Sequence, residues 1–165
     1  MTDFPTSDAR AIIRMALSED CGTGDITCRL VLPKGHRSRG HIVAKEHGVL
    51  VGLPLLALVL EELDALIPDT GAAQVTLSLS VPEGSTVEPG TVIARYEGPT
   101  AAILQAERVS LNLLQRLSGT ATTAVRYQAA AGNACKVLDT RKTTPGLRQL
   151  EKYAIRTAGG HNHRM

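Results

Sequence analysis

The sequence predicts an α+β unit followed by the opening of a βα-repeat fold, on three observations. Short apolar stretches separated by Gly/Pro turns fill the first hundred residues. One of them, Val75–Val81, alternates apolar and polar residues strictly. Near residue 99 the pattern changes to long helix, short strand, loop and helix, the repeating unit of an α/β barrel or doubly wound sheet.

The first element is a helix capped by Ser7 or Asp8 and running to about Ser18, with Ile12, Ile13, Ala16 and Leu17 on one face. Residues Glu19–Thr27 then read as a loop rich in glycine and acids. Strands are expected at His41–Ala44 and Val49–Val51. A second helix carries Pro54 in its first turn, where a missing N–H does no harm, and ends near Leu66, before Pro68.

A hairpin follows. Val75, Leu77, Leu79 and Val81 alternate with Thr76, Ser78 and Ser80, the period of a half-buried strand. Pro82–Ser85 and Glu88–Gly90 are turn sequences, and Thr91–Tyr96 is the return strand. Thr100 can cap a long helix, which Ser118-Gly119 is expected to break or bend. A second helical stretch reaches about Ala131 and ends at Gly132-Asn133. Lys136–Asp139 is a short strand, Thr140–Gly146 a loop, and Leu147–Ala158 a helix stopped by Gly159-Gly160.

Composition narrows the function classes. Hydrophobic residues make up 43% of the 165, but aromatics only 2%, so Leu, Val, Ile and Ala must build the core. A net charge of +2 does not argue for nucleic acid. The most apolar stretch, Val49–Leu60, is too short to span a bilayer. The N-terminus has neither the basic nor the apolar region of a signal peptide. Cys21, Cys28 and Cys135 form no CxxC pair, as expected of a reduced, cytoplasmic protein.

Charge is distributed unevenly. Residues 1–135 carry 11 Lys/Arg and 14 Asp/Glu, a net of −3, whereas residues 136–165 carry 7 and 2, a net of +5. Such a segment is either a solvated face or a site for an anion. The run Asp139-Thr140-Arg141-Lys142-Thr143-Thr144-Pro145-Gly146-Leu147-Arg148 begins at the C-terminal end of a predicted strand, where α/β barrels carry their active-site loops. Arg141 offers a planar fork for a carboxylate or phosphate and Lys142 a mobile point charge, while the threonines add hydroxyl donors. His161 and His163, two residues apart, would point to opposite faces of a strand, and no Cys or carboxylate lies nearby to complete a metal shell. Arg108 lies among Ala106, Val109, Leu111 and Leu114. It is either paired along its own helix, with Glu107 or another neighbour, or presented to a ligand or a second subunit.

Taken in order, Asp25-Ile26-Thr27, Glu107-Arg108 with Leu111-Asn112, Leu117–Thr122, the run Asp139–Arg148 and Asn162-His163-Arg164 resemble the quinolinate phosphoribosyltransferases along essentially the whole chain. The resemblance implies an α+β sandwich N-terminal domain over residues 1–112 and the start of a truncated α/β barrel over 113–165. It implies transfer of phosphoribosyl from phosphoribosyl pyrophosphate to quinolinate with loss of pyrophosphate and carbon dioxide, giving nicotinate mononucleotide for NAD biosynthesis. By similarity, Thr140, Arg141, Lys142, His163 and Arg164 line the quinolinate pocket, with Lys142 also catalytic. Arg108 enters the partner subunit's pocket in a homodimer. Mg²⁺ is required, with its ligands expected beyond Met165. A pyrophosphorylase-like relative found with molybdate transport, and a non-catalytic fragment, are the alternatives. A complete barrel typically takes about 250 residues, so a truncated gene model, an expressed fragment or a proteolytic product of a normal enzyme is expected, poorly soluble because Val137 and Leu138 lie on an unpaired edge.

Overall fold

A computed structural model of the chain describes residues 3–22, 25–133 and 135–163. The first helix, α1 (Thr6–Cys21), buries Ala9, Ile13, Leu17 and Cys21, spaced by one turn along a single stripe. It starts after Pro5 without a side-chain cap, so neither Ser7 nor Asp8 caps it; Asp8 lies inside the first turn, where a carboxylate favours the helix dipole. The expected loop Glu19–Thr27 is shorter than the sequence suggests. Helix α1 continues to Cys21, and a further short helix, α2 (Ile26–Val31), begins after Asp25, whose Oδ1 accepts the Cys28 N–H at 3.0 Å. Thr23 and Gly24 lie outside the described residues.

Strand β1 (Arg37–Val43) is longer than the apolar pattern indicates, because its first half is polar on both faces. Strand β2 is only Gly48–Val49. Helix α3 (Leu53–Leu66) carries its proline in the first turn, as expected, and buries residues on nearly every side. After two 3₁₀ turns come β3 (Thr76–Leu79), β4 (Thr86–Val87) and β5 (Val92–Pro99). The predicted hairpin pairing is present: β3 and β5 are antiparallel, with Leu77 opposite Tyr96. However, β5 is the middle strand of a three-stranded sheet, β1-β5-β3, and the chain between the hairpin arms detours so that β4 pairs with β2. As an edge strand β3 is more exposed than its alternation implies, with Leu79 open to solvent.

Helix α4 (Thr100–Ala131) is unbroken. The Ser118-Gly119 pair does not bend it. Ser118 Oγ accepts the Val51 N–H at 3.1 Å and donates to the Val51 carbonyl at 3.2 Å, and Thr122 Oγ1 accepts the Val49 N–H at 2.9 Å. These bonds and the burial of Leu114, Leu117 and Ala121 outweigh the ~1 kcal/mol helix penalty of one glycine. Thr100 does not cap this helix either; its hydroxyl bonds Ser38 Oγ at 2.6 Å and His36 Nδ1 at 2.8 Å, tying the helix start to β1.

The core follows from this arrangement. Apolar faces of α1, α3, α4 and the last helix, α5 (Arg148–Thr157), meet in one cluster, and Leu50, Leu56, Ile93 and Leu114 join a second under the sheet. Glu83 joins the two parts of the chain. Its carboxylate accepts the Gly52 and Leu53 N–H groups at the start of α3, at 2.7 and 2.8 Å, and the Tyr153 hydroxyl from α5 at 3.1 Å. Burial, reinforced by Glu83, pushes the Tyr153 phenol up to about 12, so it stays a donor. Lys136–Asp139 is not a full strand: it makes a single parallel bridge, Leu138 to His161. Leu138 is 52% exposed and Val137 half-buried, which partly meets the expectation of an open apolar edge.

Candidate anion site at the 139–148 loop

Asp139 is the last residue of the bridged segment and anchors the loop after it. Its N–H donates to the His161 carbonyl at 2.9 Å, and the His161 N–H donates to the Val137 carbonyl at 3.3 Å. The Asp139 carboxylate accepts twice: Oδ1 from the His163 N–H at 2.7 Å and Oδ2 from Lys152 Nζ at 2.6 Å. Two glycines make the return possible. Gly159 ends α5 at φ 81°, and a Cβ on Gly160 would stand 2.7 Å from the Ile155 side chain, closer than any real contact.

Beyond Asp139 the loop is held from both sides. Thr140 Oγ1 accepts the Lys142 N–H at 3.1 Å. From α5, Arg148 donates to Thr143 Oγ1 and to the Arg141 carbonyl, both at 3.3 Å. From α4, Arg116 donates to Thr144 Oγ1 and, at 2.7 Å, to Glu151 Oε1. The side chains of Thr140, Arg141 and Lys142 are exposed, and neither cation has an ion-pair partner among the described residues. Such a loop suits an anion: its backbone is bonded in place and its charges remain available.

His163 is exposed and is brought to this loop through Asp139; Arg164, next in sequence, lies outside the described residues. Arg108 is not at the loop. Its guanidinium pairs with Asp20 at the end of α1 rather than with Glu107, and the side chain remains 71% exposed. An open cavity of about 610 Å³ lies beside Asp139 and Thr140, lined also by Arg116, Thr120 and Thr123 of α4. A second, of about 500 Å³, lies between α4 and residues 42–50 and contains none of the predicted site residues.

The sequence reading did not assign Arg116, Glu151 or Lys152 a part here. Lys152 and Glu151 look like surface residues of a helix, and only their burial identifies them. Arg148 belongs to the cation-rich run Asp139–Arg148, but its scaffold role appears only in its bonds.

Comparison with known proteins agrees with this architecture. The model of the quinolinate phosphoribosyl transferase N-terminal domain matches residues 25–118, and that of the C-terminal domain matches residues 120–165. A quinolinate phosphoribosyltransferase [decarboxylating] of Nicotiana tabacum is 38% identical over 162 residues, covering 98% of this chain and 44% of its own length. A probable nicotinate-nucleotide pyrophosphorylase [carboxylating] of Bacillus subtilis is 45% identical over 148 residues, covering 88% and 48%. The crystal structure of NadC from Streptococcus pyogenes superposes with a TM-score of 0.86 at 33% identity, covering 98% of this chain and 56% of that one.

The chain therefore belongs to the quinolinate phosphoribosyl transferase family, its N-terminal sheet domain running into the start of an α/β barrel. It spans a little under half the length of the curated relatives it matches.

Proposed function

We propose that this chain carries the quinolinate-binding cations of a phosphoribosyltransferase that makes nicotinate mononucleotide. The observation that carries the reading is the pair Arg141 and Lys142, exposed and unneutralised on a loop that Arg148 and Arg116 hold by hydrogen bonds and Asp139 anchors to residue 163. Quinolinate presents two neighbouring carboxylates. Arg141 grips one through its fork, Lys142 and His163 face the other, and Thr140 adds a hydroxyl. Arg164 completes the set by its place in the sequence.

Held in this way, the pyridine nitrogen attacks the anomeric carbon of phosphoribosyl pyrophosphate as the bond to pyrophosphate breaks. Positioning accounts for most of the acceleration, and Lys142 stabilises developing negative charge. The ribosylated ring is cationic. It accepts the electron pair left when the adjacent carboxylate departs as carbon dioxide, and a proton then fills that ring position.

The same reading divides the chain at 112/113 into a sandwich domain and a barrel opening, and makes the active unit a cytoplasmic homodimer in which Arg108 reaches the partner's pocket. Exposure of Arg108 supports this last point, since Asp20 engages only one edge of its guanidinium. Among the described residues no three His, Cys, Asp or Glu side chains gather to hold a cation, and no step is derived through Mg²⁺ on them. Nor is any helix among them long and apolar enough to cross a membrane. The test is calorimetric titration with quinolinate, followed by detection of nicotinate mononucleotide from quinolinate and phosphoribosyl pyrophosphate. Absence of both binding and product in the full-length protein would overturn the reading.

A further inference from the structure

We infer that the buried Asp139–Lys152 pair is a positioning device for the anion site, setting the separation between Arg141/Lys142 on one segment and His163 on the other; this rests on the quinolinate reading above. Both side chains are nearly sealed from solvent, at 1% and 3% exposure. Burying a carboxylate and an ammonium costs desolvation that their attraction seldom exceeds, so stability alone does not explain the pair. Its geometry gives another reason.

One carboxylate oxygen is taken by Lys152 Nζ at 2.6 Å and the other by the His163 N–H at 2.7 Å. Lys152 therefore sets the direction of the carboxylate, and the carboxylate fixes residue 163 against residue 139. Two and three residues beyond Asp139 are Arg141 and Lys142. A parallel bridge, Leu138 to His161, also joins the two segments. Without the pair the alignment would lose the tie that sets residue 163 against residue 139, and cations that must meet two adjacent carboxylates would be freer to drift apart. A displacement of about 1 Å in such a constellation costs up to about 100-fold in reactivity.

The experiment compares wild type, Lys152→Met and the double variant Asp139→Asn/Lys152→Met in the full-length protein. Met keeps an unbranched side chain one heavy atom shorter and removes the charge. Asn keeps an oxygen for the His163 N–H and removes the carboxylate that the single variant leaves buried and unpaired, which protects against simple misfolding. Three measurements are made: quinolinate affinity by calorimetry, thermal midpoint, and hydrogen exchange of the His163 amide.

The expected result is that Lys152→Met weakens quinolinate binding roughly 10–100-fold and speeds exchange at His163. The double variant recovers the thermal midpoint but not full affinity. Unchanged affinity and His163 protection in both variants would overturn the inference and leave the quinolinate reading intact. Affinity that tracks the thermal midpoint across the series would reduce the pair to a structural role and also overturn it. If wild type neither binds quinolinate nor forms nicotinate mononucleotide, the function reading fails by itself. Exchange at His163 then decides the pair's alignment role: faster exchange in Lys152→Met supports it and unchanged exchange refutes it.

Discussion

The N-terminal region and the 137–163 segment use charge in opposite ways. In the first, a charge cluster neutralises itself and holds two helices together. Glu62, 2% exposed on α3, accepts hydrogen bonds from Arg10 and Arg14 of α1, and Arg10 also reaches Glu61 at 2.5 Å. In the second, Arg148 and Lys152, with Arg116 reaching in from α4, are spent as scaffold, while the side chains of Arg141 and Lys142 are left without an ion-pair partner among the described residues. A region that pairs its charges is built for stability. One that supports a loop with some cations and exposes others is arranged to hold an anion.

The contrast can be broken first at the core. Leu117 is fully buried where α4 meets α1 and α3. Leu117→Ala should cost about 2–5 kcal/mol, read as a lower urea midpoint, and a loss below 1 kcal/mol would mean the α4 interface is loosely packed. The loop should respond in affinity instead. Arg141→Ala removes an exposed fork with no structural partner for its side chain. Quinolinate binding should fall by roughly 100-fold, since charge-assisted bonds are worth about 1.5–3 kcal/mol each, while the thermal midpoint stays put. Unchanged titration would remove Arg141 from the pocket.

Arg116→Met tests whether scaffold and site are separable. It frees Thr144 and leaves the largely buried Glu151 unpaired. Affinity should drop by about tenfold, through positioning alone, together with a modest fall in thermal midpoint. An effect on stability with none on affinity would show that the loop keeps its shape without α4.

The smallest effect concerns acid. The hydrogen bond from Arg14, aided by Arg10 and opposed by burial, holds the Glu62 carboxyl below its usual range. A depressed folded-state value contributes stability above the unfolded carboxylate pKa, about 4.3, and that contribution is lost as pH falls through the folded value. Glu62→Gln should therefore be less stable than wild type at neutral pH, with the gap closing below about pH 4. Urea midpoints at pH 7 and pH 3 that differ by the same margin would contradict this.

The helices were largely legible because their signals are local. Pro54 in a first turn, Gly132 after a long apolar period and Gly159-Gly160 after α5 are each read from neighbouring residues, and α3 and α5 lie within a residue or so of expectation. Asp25 as a cap was equally local, yet the six-residue α2 was hidden by the surrounding glycines and acids. Ser118-Gly119 misled because its partner, Val51, is 67 residues away. The candidate loop was visible as a run of cations and threonines, but Arg116 and Lys152 were not, since α4 and α5 meet it only after folding.

By itself, then, the sequence determined the local elements, the cation-rich loop and the family to which the ordered motifs point, because capping, periodicity and residue chemistry act over a few neighbours. Tertiary structure alone decided that β5 is the central strand, that Arg108 pairs with Asp20, and that Asp139 joins Lys152 to His163. Each depends on groups far apart in the chain, and hydrogen bonds and ion pairs extend only about 3–4 Å. No local pattern records which distant partner arrives within that range.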